Sequence, residues 1–283
     1  QLVRLPNIFT STSDILAGCI LATHAFIDIH KIILLVFISA CLYGGGIVFN
    51  DVFDITTDET ERPDRPLPSG NISKRDALYL GVILFLTALL CACLVNATSV
   101  CISIVIIALI MSYNAWTKTV PAIGTLNMGL CRFFNLMLGL SIIPASISTY
   151  WMFPLILMIY VMLITALSKQ EVKGEQRWKI VFVISCFIGL VFFTGSLSVK
   201  GILPNHAMHG LLFIFTLIVL WPMGKAVINP CPKSIQSTIK TMVLSIIILD
   251  ACFVMGATNG LHALVVLALL VPAYIISRFL YVT

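Results

Sequence analysis

Residues 32–71 read IILLVFISACLYGGGIVFNDVFDITTDETERPDRPLPSGN, an apolar stretch that passes directly into an acidic one. The apolar part, 32–49, is long enough for a helix to cross the roughly 30 Å hydrocarbon core of a bilayer. The remainder holds six of the twelve acidic residues of the chain. This segment therefore predicts a membrane helix with a charged site at its end.

The composition places the rest of the chain in the membrane as well. Hydrophobic residues make up 59% of the chain and charged residues 10%, its mean hydropathy is +1.06, and soluble domains are typically about 25% charged. We expect ten spans, at about 8–28, 32–49, 76–95, 98–115, 122–143, 150–168, 178–197, 207–224, 237–256 and 261–280. The sequence predicts an all-α, polytopic transmembrane helical bundle in which residues 1–283 form one domain embedded in a lipid bilayer.

The basic residues predict the orientation of this bundle. If ten spans alternate in direction, all of the 17 Lys and Arg residues except Lys31, Lys200 and Arg132 fall on one side. Basic loops stay on the cytoplasmic side of a membrane. We therefore expect both termini and the charged site to face the cytoplasm, in a plasma or inner membrane. The net charge of +5 is explained by this topology, so nucleic acid is not an expected partner.

The acidic residues after the second span have helical spacing. Asp51, Asp54 and Asp58 stand at i, i+3 and i+7, and Asn50 precedes Asp54 by four residues. If the helix continues past Phe49, these side chains share one face, where like charges repel. A divalent cation removes that repulsion, and Mg²⁺ typically combines one or two carboxylates with substrate phosphates. The spacing therefore predicts a magnesium site.

Two further charged groups extend this site. Arg62 and Arg65 are each followed by proline, and guanidinium groups suit phosphate oxygens. The loop at 168–179 follows the sixth expected span and so lies on the same side. Its Glu171 and Glu175 are four residues apart and share a helix face. These glutamates either complete a magnesium-diphosphate site or belong to an ordinary charged turn at the membrane surface.

Arg132 is a basic residue inside a span, about ten residues from its start and so about 15 Å deep. A charge at that depth is costly and marks a functional or paired side chain. One interpretation is a contact with diphosphate or with a cavity, together with Asn135 one turn further on. The other is a buried pair with a carboxylate such as Asp250, which is itself intramembrane and needs a partner.

These residues resemble the UbiA superfamily of intramembrane prenyltransferases. The first signature of that family, NDxxDxxxD, is matched by Asn50, Asp51, Asp54 and Asp58, and its continuation RPxRPLPSGxIS is matched at 62–73. The resemblance implies a helical membrane bundle, usually of nine spans rather than ten. It also implies Mg²⁺ and a prenyl diphosphate donor.

The second signature of the family is an Asp-x-x-x-Asp pair after the sixth helix, and here Glu171 and Glu175 take that place. Glutamate is one methylene longer than aspartate and still offers Mg²⁺ oxygen ligands. The EVKG sequence at 171–174 looks closer to the branch of the family related to EboC than to the ubiquinone enzymes.

Weaker matches add residues to the implied site. Asn7 resembles an asparagine of the first helix that faces the central cavity, and a helix cap is the alternative. Tyr113, Asn114 and Lys118 resemble a Tyr-x-x-x-Lys element whose lysine contacts the diphosphate, although Tyr113 stands five residues before Lys118 instead of four. The alternative for Lys118 is an ordinary basic residue at the cytoplasmic surface.

Together these features predict a Mg²⁺-dependent prenyltransferase that moves a polyisoprenyl group from a prenyl diphosphate to an apolar acceptor, aromatic or lipid. The expected catalytic residues are Asp54, Asp58, Glu171 and Glu175, which with Asn50 and Asp51 also form the expected metal site. The expected substrate-binding residues are Asn7, Arg62, Arg65, Asn114, Lys118 and Arg132. A membrane terpene cyclase shares this ionisation chemistry, and a transporter or lipid-binding protein is the alternative of another class.

Overall fold

The structure is a computed structural model that describes residues 5–168, 177–199 and 202–279. Within those ranges the regular structure is helical, without a β-strand. The helices are α1 Leu5–Thr23, α2 Ile29–Phe53, α3 Ile55–Glu61, α4 Lys74–Cys93, α5 Ala97–Ala115, α6 Pro121–Leu140, α7 Ser146–Tyr150, α8 Met152–Ser168, α9 Arg177–Val199, α10 Met208–Ile228, α11 Pro232–Leu244, α12 Ile246–Ala257, α13 Gly260–Ala268 and α14 Leu270–Phe279.

Each of the ten expected spans corresponds to a helix or to a pair of consecutive helices. Among the described residues, eight of these helical segments are long and apolar enough to cross a membrane. Two of the eight are pairs of helices: α11 and α12 form one span over Pro232–Ala257, and α13 and α14 form another over Gly260–Ser277. The other two are the Ser- and Thr-rich α1 and the 17-residue α8. The all-α polytopic prediction is confirmed.

The ends of the helices follow from local sequence signals. Asn96 accepts a hydrogen bond from the backbone nitrogen of Ser99 at the start of α5, and Ser73 and Asn259 cap α4 and α13 in the same manner. Such caps satisfy backbone N–H groups that have no partner within the helix. Pro121 begins α6, where the missing N–H of proline costs nothing. Short polar turns between apolar stretches therefore set the helix boundaries.

The apolar interior consists of two main clusters on either side of α1. One cluster lies among the five helices from α8 through α12 and includes Phe153, Tyr160, Phe187, Phe215 and Phe253. The other joins α1 to α2, α4, α5 and α6. Because α1 packs against α2, α6, α12 and α14, it holds the two halves of the bundle together. A helix in this position is buried, and its polar side chains must find partners inside the protein.

The contact between α1 and α6 is the closest part of this packing. A Cβ atom on Gly18 would lie 2.6 Å from the backbone oxygen of Leu136 and 2.8 Å from the Cα of Gly139. A Cβ on Gly139 would lie 2.5 Å from the backbone oxygen of Ile15. Small residues allow membrane helices to approach this closely. The two glycines therefore fix the relative position of α1 and α6.

Candidate functional site

The acidic residues lie on one face at the junction of α2 and α3. Asp54 stands between these helices with φ −93° and ψ 5°. Backbone hydrogen bonds continue through the junction, from Asp54 N to Asn50 O at 3.0 Å and from Asp58 N to Asp54 O at 2.8 Å. Asn50, Asp54 and Asp58 are therefore one turn apart, and Asn50 Nδ2 donates to Asp54 Oδ2 at 3.1 Å.

Two basic side chains compensate the charge of these acids. Arg65 Nη1 donates to Asp58 Oδ2 at 2.5 Å and lies 3.4 Å from Asp51 Oδ1. Lys118 forms an ion pair with Asp54. The side chain of Asp58 is only 7% exposed, whereas that of Asp54 is 29% exposed. The acidic face is therefore electrostatically satisfied by residues that come from the Arg-Pro loop and from the turn before α6.

Lys118 reaches this face because the turn before α6 is held in place. It lies on a short 3₁₀ turn, Thr117–Thr119. Asn127 Nδ2 donates to Thr117 Oγ1 at 3.1 Å and to Ser112 Oγ at 2.8 Å, which fastens the turn to α5 and α6. Asn50 Nδ2 also donates to Asn114 Oδ1 at 3.1 Å and so links α2 to α5. Four elements thus meet at one end of the bundle.

A cavity of about 320 Å³ opens beside the acidic face. Its walls come from α1, α2, α5, α6, α8, α11 and α12, and most of its lining side chains are apolar. Asn50 and Asn114 lie at the acidic end, and Tyr43 and Tyr113 line the wall. Volumes of roughly 300–1,000 Å³ are typical of small-molecule sites. The arrangement places Asn50, whose side chain bonds to Asp54, in the wall of a largely apolar chamber.

The cavity ends in a second polar group, which we name the deep polar cluster. It consists of Thr10, Ser11, Asp14, Ser39, Arg132 and Asn135. Arg132 Nη1 donates to Asp14 Oδ2 at 2.9 Å, and Arg132 Nη2 donates to Thr10 Oγ1 at 2.7 Å. Asn135 Nδ2 donates to the same Asp14 oxygen at 2.8 Å. Asp14 is therefore the common acceptor of the cluster.

The serines of the cluster extend this chain of hydrogen bonds. Ser39 Oγ donates to Asn135 Oδ1 at 2.7 Å, so the 3.0 Å contact between Ser11 Oγ and Ser39 Oγ requires Ser11 to donate. One chain of donors thus runs from Ser11 through Ser39 and Asn135 to Asp14. Ser11, Ser39, Arg132 and Asn135 all line the cavity.

Asp250 is a neighbour of this cluster. It is fully buried on α12, as Asp14 is on α1, and Ser13 Oγ donates to its Oδ2 at 2.5 Å. The carboxyl groups of Asp14 and Asp250 interact with each other, and the Oδ1 atom of each has no hydrogen-bond partner among the described residues. Ionisation of both carboxyl groups would be costly, because two like charges would then be buried together.

The structure brings most of the expected site residues together. Asn50, Asp51, Asp54, Asp58, Arg65, Asn114 and Lys118 meet at the acidic end, and Asn7 and Arg132 line the cavity. Arg62 is exposed at the end of α3 and forms no ion pair with a described residue. Glu171 and Glu175 lie outside the described residues.

One sequence interpretation is corrected by the structure. The carboxylate that bonds directly to Arg132 is Asp14 and not Asp250. The reason is that the close approach of α1 and α6 brings these two helices together at that depth, whereas Asp250 is held by Ser13. The spacing of Asn7, Ser11 and Asp14 at i, i+4 and i+7 is the signal that places polar residues on one face of α1.

The donor set at the acidic end fits Mg²⁺. Asn50, Asp54 and Asp58 offer only oxygen ligands, which hard cations prefer. No group of three or more His, Cys, Asp or Glu residues in the described part of the chain is arranged to hold an ion by itself. A magnesium ion here would need further oxygen ligands, and substrate phosphates typically supply them.

Several known proteins are similar to this chain in sequence. Digeranylgeranylglyceryl phosphate synthase of Sulfurisphaera tokodaii is 30% identical over 181 residues, 63% of this chain and 63% of that protein. The synthase of Thermococcus sibiricus is 27% identical over 245 residues, 81% of this chain and 85% of that protein. The chain thus matches less than two thirds of the S. tokodaii protein.

Two solved structures have the same fold. A UbiA homolog from Aeropyrum pernix K1 in its apo form gives a TM-score of 0.73 at 14% identity, covering 87% of this chain and 96% of that one. A UbiA homolog from Archaeoglobus fulgidus bound to DMAPP and Mg²⁺ gives a TM-score of 0.68 at 16% identity. The match covers 95% of this chain and 99% of that one. The model of the UbiA prenyltransferase family matches residues 13–174, more than half of the chain. The resemblance seen in the motifs is confirmed, and the chain belongs to the UbiA prenyltransferase family.

Proposed function

We propose that this protein is a Mg²⁺-dependent intramembrane prenyltransferase that moves a polyisoprenyl group from a prenyl diphosphate to an apolar acceptor. The observation that carries this proposal is the position of Asn50, which lines a largely apolar cavity and bonds to Asp54, the ion-pair partner of Lys118. A diphosphate bound beside these residues would leave its hydrocarbon chain inside the cavity. The DMAPP and Mg²⁺ bound to the A. fulgidus homolog support this assignment.

The acidic end is the proposed donor site. Asn50, Asp54 and Asp58 would hold Mg²⁺, together with Asp51 and with Glu171 and Glu175 of the second motif. Bound magnesium would neutralise charge on the leaving diphosphate. Arg65 and Lys118, now paired with carboxylates, would exchange those partners for phosphate oxygens. Arg62, Asn7 and Asn114 are further proposed contacts of the donor, whereas Arg132 is a proposed substrate contact deeper in the cavity. Such preorganised cations stabilise the charge that develops as the bond breaks.

The transfer step is a substitution at the first carbon of the prenyl chain. The bond from this carbon to the diphosphate oxygen breaks, and the electron pair leaves with the diphosphate. The acceptor atom forms the new bond to this carbon and loses its proton. The aromatic rings of Tyr43 and Tyr113 line the cavity, and aromatic faces stabilise a neighbouring positive charge. The surrounding apolar wall keeps water from capturing the allylic cation.

The proposed orientation places the acidic end and both termini in the cytoplasm. The expected loops on that side carry nearly all the Lys and Arg residues of the chain, as the positive-inside rule requires. The names of the matched relatives, digeranylgeranylglyceryl phosphate synthases, support a lipid as the acceptor class.

Diphosphate release by the purified protein in detergent tests this proposal. The protein would be incubated with geranylgeranyl diphosphate and a membrane lipid extract as the source of acceptor, with Mg²⁺ or with chelator. We expect release that requires Mg²⁺ and falls by at least about a hundredfold in Asp54→Ala, which removes a proposed ligand. Asp64→Ala is the matched control, since Asp64 is an exposed carboxylate in the same acidic segment.

The organic products separate the alternatives. A prenylated lipid supports transfer, whereas a cyclised hydrocarbon formed without an acceptor would assign a terpene cyclase. Full activity in Asp54→Ala would remove Asp54 from the metal site. Solute uptake into proteoliposomes without any diphosphate release would contradict the enzyme assignment and favour a transporter.

A further inference from the structure

The deep polar cluster lies far from the donor site. Ser39 and Asn50 both stand on α2 and both line the cavity, about 16 Å apart along the helix at 1.5 Å per residue. A prenyl chain has no hydrogen-bonding group, so the cluster offers nothing that the tail of the donor needs. Its polar atoms are therefore available to the second substrate.

The charge of this cluster is already balanced. Arg132 is paired with Asp14, whose side chain is fully buried, while the Arg132 side chain is 14% exposed. Asp250 adds a second buried carboxyl beside Asp14. Two acids therefore face one base, so no excess positive charge remains. A phosphate bound here would bring uncompensated negative charge into a region of low dielectric constant, which is costly.

The cavity side of the cluster instead suits a hydroxyl group. A guanidinium carries five N–H donors, and Arg132 uses two of its nitrogens for Asp14 and Thr10 among the described residues. The oxygen of Ser11 donates to Ser39 and keeps lone pairs that can accept. An alcohol or phenol is both donor and acceptor and so matches this mixed surface, whereas an ionised phosphate monoester mainly accepts.

We infer that the acceptor carries an uncharged hydroxyl group at the end remote from its reacting atom, and that Arg132, Ser11 and Ser39 bind this group. The inference rests on the proposed function, because it takes the acidic end of the cavity as the donor site. It distinguishes this chain from a protein whose acceptor presents a phosphate to the deep end.

A binding comparison tests the inference. Purified protein would first be loaded with Mg²⁺ and geranylgeranyl thiodiphosphate, an inert donor analogue. The affinities of a geranylgeranyl glycerol ether with a hydroxyl group at the far end of its prenyl chain, and of the phosphate monoester of that hydroxyl group, would then be measured by calorimetry. We expect the uncharged ether to bind at least about tenfold more tightly. Equal or tighter binding of the phosphate overturns the inference, and so does the absence of binding by both probes.

A charge variant makes the test sharper. Asp14→Asn keeps the shape of the side chain and removes the carboxylate that bonds directly to Arg132, and Asp250, which bonds to Ser13 instead, does not replace it. The preference should therefore shift toward the phosphate probe by about tenfold. Asp250→Asn is the matched control, because it removes a neighbouring carboxyl and leaves the Asp14–Arg132 pair intact. An unchanged preference in Asp14→Asn would contradict the role of Asp14.

Two further measurements distinguish a failure of this inference from a failure of the proposed function. Ser39→Ala changes no charge and should weaken binding of the ether severalfold while leaving the donor analogue unaffected, so the test does not depend on the folding of Asp14→Asn. Binding of the donor analogue with Mg²⁺ is recorded first. Its failure would count against the proposed function, whereas its success with no preference for the ether would count against this inference alone.

Discussion

Replacing Gly18 by alanine should loosen the centre of the bundle. The new Cβ atom would meet three backbone atoms of α6, at 2.6 Å from Leu136 O, 2.7 Å from Leu140 N and 2.8 Å from Gly139 Cα. Backbone atoms cannot rotate aside as the end of a side chain can, so α1 and α6 must separate. Overpacking costs about 1–3 kcal/mol, and a clash with backbone atoms belongs at the upper end of that range, above the gain of about 1 kcal/mol in helix propensity.

Gly189→Ala is the matched control, since Gly189 also lies inside a long helix and its new methyl group would meet no described residue of another helix within 4 Å. Thermal unfolding of both variants in detergent would be followed with a thiol-reactive dye, because Cys19, one residue from Gly18, is buried in the folded protein. We expect an apparent Tm several degrees lower for Gly18→Ala and an unchanged or higher Tm for Gly189→Ala. Equal transitions for the two variants would refute the close crossing of α1 and α6.

Three more measurements address the site and the helix ends. Lys118→Met should raise the affinity for Mn²⁺ alone by about tenfold, as Asp54 loses its internal cation, and electron paramagnetic resonance would detect free and bound Mn²⁺. Without donor, chelator should leave the Tm unchanged. With geranylgeranyl diphosphate present, chelator should abolish the rise in Tm that the donor gives, because a ligand stabilises a protein only by binding to it and the donor is expected to bind through Mg²⁺. Asn96→Ala should lower stability by about 1–2 kcal/mol in chemical unfolding, since Asn96 caps α5 and bonds to Ser141.

The helices and the acidic face were predictable because they depend on local sequence. Apolar runs of sufficient length specify spans wherever they occur, and the ten expected spans all correspond to helices. The four-residue spacing of Asn50, Asp54 and Asp58 places them on one face for any helix. The break between α11 and α12 at Ser245 was not predictable, because every residue of α12 from Ile246 to Val254 is buried, so this helix shows no exposed face. Such a segment has no periodic pattern that a break could interrupt.

The partners of the charged residues depended on which helices touch. Arg132 was expected either to contact diphosphate or a cavity or to pair with a carboxylate, since a lone charge inside a membrane is costly. The sequence offers both Asp14 and Asp250 at suitable depth, and nothing local distinguishes them. The choice follows from the approach of Gly18 to Gly139, a contact between residues far apart in the chain. In the same way, no local signal links Lys118 to Asp54, because the turn that carries Lys118 is positioned by Asn127.

The ion pair of Asp14 and Arg132 also has a consequence for biosynthesis. The ribosome makes α1 before α6, and Arg132 follows Asp14 by 118 residues. An aspartate at the centre of a lone helix opposes insertion by about 2.5–3.5 kcal/mol. The nascent α1 must therefore stay near the translocon or keep its carboxyl protonated until α6 emerges. Stable integration of α1 with an ionised Asp14 thus depends on the synthesis of α6.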